Sequence, residues 1–343
     1  MFGLPPLPRT LAAALRDAEH AEPRIRLSAL KDLVRLARTA EREQATLGII
    51  ALLRSDPSAE LRAEAALALA DAEAGGANTA LLAAIDDPML RVRQLAILAL
   101  GELGEPGDAE LGARLRGSLE SNEPSLRFQA LIACERLLPE EAPALLATGL
   151  SDPDDEVRAM ALRLARQRWP GADAPAKLVE LARKALDDHA ALVRATAALW
   201  LSPLGEARAE VVLVGMIDGS VPVAGGAEVV EAMELVAERG LTGAASGLAR
   251  HAFGLKSRVN PVRWHALVAL ARLGDPRARR TILRGLDAWT RDARTLAVAA
   301  AGRAGLEEAR AKIDAFRGDP RRAEPDAVEE ALGALRAPSA PGD

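Results

Sequence analysis

The residue types that most often carry enzyme chemistry are few and scattered. His20, His189, His251 and His265 stand far apart in the chain, and none forms a His-Glu pair or an H-E-x-x-H turn. That spacing would let one helix present two imidazoles to a metal ion. A single cysteine, Cys134, excludes an intramolecular disulfide and any all-cysteine metal site. It falls on an apolar helical position and reads as a buried structural thiol. Gly243-Ala244-Ala245-Ser246-Gly247 departs from the G-x-S-x-G nucleophile elbow and lies in a helical stretch. Gly219-Ser220 and Gly225-Gly226 lack the Lys-Ser/Thr ending of a phosphate loop. Gly101-x-x-Gly104-x-x-Gly107 follows no strand and reads as a turn between helices. The expectation is therefore no catalytic residue, no cofactor, no resident metal and no enzyme activity.

Binding chemistry is easier to place. Residues 241–306 hold twelve basic and three acidic residues, a net of +9, in a chain whose net charge is −5. Within this stretch Arg263, Trp264 and His265 are consecutive, and Arg277, Arg279 and Arg280 open another helix. An aromatic ring inside a cationic surface is a combination that anchors acidic protein segments. Phe128 occupies the same relative position as Trp264 in an earlier copy of the repeat described below. These seven residues are the candidate partner-binding set. A sequence pI of 5.6 argues against a general nucleic-acid or anionic-membrane binder.

The elements that must position these residues follow from composition and period. Hydrophobic residues make up 49% and charged residues 27%, but aromatics only 2%, with no Tyr. The core must then be built from Ala, Leu and Val, and Ala and Leu are strong helix formers. One pattern recurs: a turn with Asp or Pro, an aliphatic-Arg pair, and Ala three residues after the Arg. Those Arg positions are 26, 62, 93, 127, 158 and 194, then 263 and 294. Apolar residues at −1, +3, +4 and +7 from the Arg mark one face of a helix. A second amphipathic segment lies between copies. The period therefore predicts an all-α chain of about ten helix pairs over residues 7–336, arranged as a superhelical solenoid. Asp56-Pro57, Asp87-Pro88 and Asp152-Pro153 are expected to place Asp at the N-cap and Pro at the first helical position. Gly104 and Gly274 are expected to be left-handed C-caps.

The turn-plus-helix pattern, clearest in Ser55-Asp56-Pro57-Ser58-Ala59-Glu60-Leu61-Arg62 and Ser151-Asp152-Pro153-Asp154-Asp155-Glu156-Val157-Arg158, resembles HEAT repeats of the armadillo-like superfamily. It is most similar to the short bacterial variety found in phycobilisome lyase-type proteins. The resemblance implies an Asp–Arg ladder between neighbouring repeats, assigned to Asp56/Arg62, Asp87/Arg93, Asp152/Arg158 and Asp188/Arg194. It also implies a scaffold or adaptor that holds a protein partner in a concave groove. Two alternatives come from the same resemblance. One is a DNA enzyme like the alkylpurine glycosylases, for which Trp264, Trp289 and Asp292 would be a thin analogue. The other is a lyase- or chaperone-like factor. The His-Glu pairs of deoxyhypusine hydroxylase, another HEAT-type enzyme, are missing.

Local departures mark the ends and one repeat. Residues 1–6 read as a lead-in, with Pro5-Pro6-Leu7-Pro8 running into the first helix, and residues 337–343 read as a disordered tail. Repeat 7, at about 206–240, has Val229 where other copies have Arg, and a Gly-rich turn at 219–226 that could serve as a hinge. With no signal peptide or membrane-spanning run, a cytoplasmic location is expected.

Overall fold

The computed structural model describes residues 8–223, 225–255 and 257–336; the lead-in at 1–6 and the tail at 337–343 lie outside them. The described residues form twenty α-helices and no strand. Contacts divide the chain into two units, residues 1–168 and 169–343. Each holds five helix pairs.

In the first unit the pairs are α1 (Leu11–Ala18) with α2 (Pro23–Leu36), α3 (Arg42–Ser55) with α4 (Ala59–Asp71), and α5 (Asn78–Ala84) with α6 (Leu90–Leu103). Then come α7 (Ala109–Leu119) with α8 (Pro124–Leu137), and α9 (Ala142–Gly149) with α10 (Asp155–Arg168). The second helices stack in series, α2 on α4, α4 on α6, α6 on α8 and α8 on α10. Small residues make that stacking close. Ala65, Ala96, Ala130 and Ala161, three places after each Arg, are fully buried, as are Val92 and Cys134. At Gly101 an added Cβ would stand 3.0 Å from the Cβ of Ala133 on the next helix.

The second unit repeats the plan with α11 (Ala176–Ala185) and α12 (Ala191–Leu201), α13 (Ala207–Asp218) and α14 (Gly226–Glu238), and α15 (Ala245–Phe253) and α16 (Arg263–Arg272). It continues with α17 (Pro276–Gly285) and α18 (Arg291–Arg303), and ends with α19 (Arg310–Asp314) and α20 (Pro325–Arg336). Val193, Ala197 and Ala266 are buried at their pattern positions. Trp200 is also buried and donates its indole N–H to the Trp169 carbonyl at 2.9 Å.

Two local expectations are corrected. The Asp-Pro turns do not start the helices: α4 and α6 begin two to three residues later, with Ser58 and Met89 at the N-cap. The Asp side chains instead close the turn, Asp56 Oδ1 accepting from Ser58 N at 2.8 Å and Asp87 Oδ1 from Met89 N at 2.8 Å. Gly274 is left-handed, with φ +88°, but Gly104 is not, with φ −68°. Gly104 is required by crowding, because a Cβ there would stand 2.5 Å from Leu111 Cδ2 and 2.7 Å from the Leu100 carbonyl.

Candidate protein-binding site

Arginines link the turns of successive repeats. Each anchors itself by Nη1 to carbonyls of its own turn: Arg62 to Asp56 (2.9 Å), Arg93 to Asp87 (3.0 Å), Arg158 to Asp152 (2.8 Å) and Arg194 to Asp188 (2.7 Å). The Nε–Nη2 edge then faces the next repeat. Arg26 grips both oxygens of Asp56 (2.7 and 2.8 Å), Arg62 those of Asp87 (2.8 and 3.0 Å), and Arg127 those of Asp152 (2.8 and 2.7 Å). The expected pairing of Asp56 with Arg62 and of Asp87 with Arg93 is therefore corrected. Within a turn the two residues meet through the aspartate's backbone carbonyl, while its carboxylate serves the preceding repeat. A short turn leaves an Arg six residues onward only the main chain to reach. The hydrogen bonds from Arg62 hold the Asp87 carboxyl below its ordinary range, outweighing burial. Arg26 and Arg127 are likewise raised above the usual guanidinium value by their aspartates.

The basic stretch of the second unit is more neutralised than its composition implies. Arg279 pairs with Glu308, Arg291 with Glu324 and Arg303 with Glu234. Arg277 pairs with Asp275 at 2.8 Å, and its guanidinium lies 5.2 Å from the Phe253 ring centre. Among the described residues, Arg280 reaches only the Pro276 carbonyl, at 3.2 Å. Arg272, Arg280 and Arg284 are exposed and have no ion pair among the described residues.

Trp264 is half-buried, not a free ring in a groove. Its Cη2 edge covers Gly285, where an added Cβ would stand 3.0 Å away. Arg263 lies 5.6 Å from the centre of the same ring and donates Nε–H to the Ala252 carbonyl at 3.2 Å. His265 points elsewhere, into a cleft of about 250 Å³ with Glu234, Arg272 and Arg303 on its walls. Its Nδ1 is buried without a hydrogen bond and lies 3.8 Å from Glu234. Burial, helped by Arg303 and opposed by Glu234, pushes its pKa below the ordinary imidazole value. Phe128 lies in the first unit, in a cleft of about 430 Å³ whose charged walls are Asp154 and Glu156. That cleft has the wrong sign for an acidic ligand. Asp292 is exposed in the first turn of α18. Cys134 is enclosed, and burial pushes its thiol up to about 12.

The most exposed apolar residues of this stretch lie on two turns, of which the sequence pointed to Trp289 only as part of a glycosylase-like set and to Leu255 and Val259 not at all. Trp289 is 96% exposed in the turn between α17 and α18. Leu255 (108%) and Val259 (81%) are exposed in the turn between α15 and α16. Both turns join the first helix of a pair to the second, in adjacent pairs packed through α16 and α18. The main chain beneath Trp289 is fixed, since Arg294 Nη1 donates to the Ala288 and Trp289 carbonyls at 2.7 and 3.0 Å. The signal available in the sequence was Gly285: it gives Trp264 a surface to cover, whereas Trp289 has none.

Residues 46–135, from within α3 to α8, match the family described as HEAT repeats. That segment carries HEAT repeats. Among solved structures, the Escherichia coli protein YibA is 16% identical, with a TM-score of 0.52 over 76% of this chain and 91% of that one. Kap121p, in a crystal structure bound to RanGTP, is 14% identical, with a TM-score of 0.51 over 96% of this chain and 40% of that one. A weaker likeness is to the CpcE–CpcF complex of phycocyanin lyase from Nostoc sp. PCC7120. It is 20% identical, with a TM-score of 0.40 over 72% of this chain and 94% of that one. No curated protein sequence matches. At these identities the likeness is one of fold.

Proposed function

We propose that this HEAT-repeat chain is a non-catalytic adaptor whose second unit binds an acidic, partly apolar segment of a protein partner. The observation that carries the reading is Trp289: an almost fully exposed indole on a turn whose backbone is already pinned by Arg294. A large ring on a fixed backbone loses little freedom on binding, which is the property of a binding anchor. Leu255 and Val259 extend the apolar surface on the adjacent turn, and Arg280 and Arg284, on the helix that leads into the Trp289 turn, supply positive charge without an ion pair among the described residues. Arg277 and Arg279 are already held in ion pairs with Asp275 and Glu308. Kap121p, whose fold is similar, was captured with a protein bound, which agrees with a protein ligand.

The test is selection from a library of disordered peptides, followed by association kinetics. Peptides that combine Asp or Glu with an apolar residue should be enriched. Trp289→Ala should weaken their binding by ~1–3 kcal/mol, with unchanged helical content. Reversing Arg280 and Arg284 to Glu should slow association and flatten its salt dependence. Equal enrichment of basic peptides, or a Trp289→Ala variant that binds normally, would refute the proposal.

A further inference from the structure

We infer that Arg93, opposite Ser121, forms a carboxylate-binding site that takes an acidic side chain of a protein partner. The site lies in the first unit and does not depend on the surface proposed above. Four arginines of this unit are built on one plan.

Arg26, Arg62 and Arg127 each anchor Nη1 on carbonyls of their own turn, and each presents Nε and Nη2 to an Asp of the following repeat. Arg93 has the same anchor, with Nη1 donating to Asp87 O at 3.0 Å and Pro88 O at 3.3 Å. What differs is the residue opposite. The position held by Asp56, Asp87 and Asp152 in the intact rungs holds Ser121 in this one.

Ser121 does half of the aspartate's work. Its Oγ accepts from Glu123 N at 3.2 Å, as Asp56, Asp87 and Asp152 accept from the residue two places on. Its carbonyl receives Arg127 Nη1 at 2.9 Å. The turn is therefore kept in its ordinary shape, while the carboxylate that would meet the Arg93 fork is replaced by a hydroxyl. Among the described residues no side chain or carbonyl accepts from Nε or Nη2 of Arg93. Both Arg93 and Ser121 are partly exposed, whereas in the rung made by Arg26 the arginine and aspartate side chains are 8% and 1% exposed.

A guanidinium edge fixed in this way matches the two oxygens of a carboxylate, and such bidentate pairs are among the stronger charge-assisted hydrogen bonds. The anchoring by Nη1 removes the rotamer freedom that makes ordinary surface arginines weak ligands. The shared ligand chemistry is an oxyanion. A planar carboxylate is favoured because the three intact rungs hold that group with the same edge.

The experiment follows side-chain Nε–Hε resonances of the full chain by NMR during titration at constant ionic strength. One probe is an N-acetylated, C-amidated tetraglutamate peptide; the other is inorganic phosphate. The Arg93 resonance should shift saturably with the peptide, while those of Arg62 and Arg127 stay in place. Ser121→Asp supplies the missing carboxylate from within the chain. It should abolish the peptide-induced shift and raise the melting temperature, and that rise should vanish when Arg93→Gln is added. An Arg93 resonance that ignores the peptide would overturn the inference. So would one that responds equally in Ser121→Asp, or one that saturates with phosphate alone.

Discussion

At the scale of single residues, what matters is how completely a charge is matched where it sits. The Arg26–Asp56 pair is almost wholly enclosed, whereas Arg291 and Glu324 are about half exposed. Removing one partner of an enclosed pair leaves an uncompensated buried charge, and removing a surface partner leaves a hydrated one. Arg26→Gln should therefore lower stability by ~3–5 kcal/mol, and Arg291→Gln by less than ~1 kcal/mol, as read by chemical denaturation. Asp87 adds a pH dependence. Its carboxyl is depressed in the folded chain by the hydrogen bonds from Arg62. Its contribution is then complete above the unfolded carboxylate value and is lost as pH falls below ~4 toward the folded value. Unfolding measured between pH 6 and pH 2 should show a shallower acid loss in Arg62→Gln than in the native chain. Identical slopes would mean that this rung does not contribute.

At the scale of elements, close approach of second helices governs both stability and what could be read in advance. Gly302 on α18 faces α20 so closely that an added Cβ would stand 2.6 Å from the Ala331 Cα. A backbone atom cannot rotate away, so Gly302→Ala should destabilise by ~1–3 kcal/mol, detectable as a lowered unfolding midpoint. The turn after α13 lacks the arginine anchor of the other repeats, because Val229 occupies that place. It is held by Val221 N donating to the Gly215 carbonyl at 2.9 Å, with Gly219 at φ +84°. Amides at 219–223 should exchange faster than those at 151–156, where Asp152 and Arg127 close the turn. The helix pairs were legible because Ala and Val recur wherever one second helix must lie on the next. The partners of Asp56 and Asp87 were not, because they lie 30 and 25 residues away and the nearer Arg is the more obvious candidate. Trp264 and Trp289 look alike in sequence. Their difference depends on Gly285, whose bare Cα gives one ring a surface to cover.

At the scale of the molecule, net charge misleads in both directions. The chain is acidic overall, yet the second unit holds a strongly basic stretch. That stretch commits Arg279, Arg291 and Arg303 to carboxylates outside it, those of Glu308, Glu324 and Glu234. What remains for a partner is a small number of unpaired arginines beside two turns that expose apolar side chains. This arrangement favours a short acidic and apolar segment over a long polyanion, which would meet repulsion elsewhere on an acidic chain. The most direct measurement is hydrogen exchange of the full chain with and without a saturating acidic-apolar peptide selected from the library. Protection should appear at residues 253–262 and 286–291 and be lost in Trp289→Ala. Protection confined to the first unit, or spread evenly over all ten helix pairs, would contradict the assignment of binding to this face.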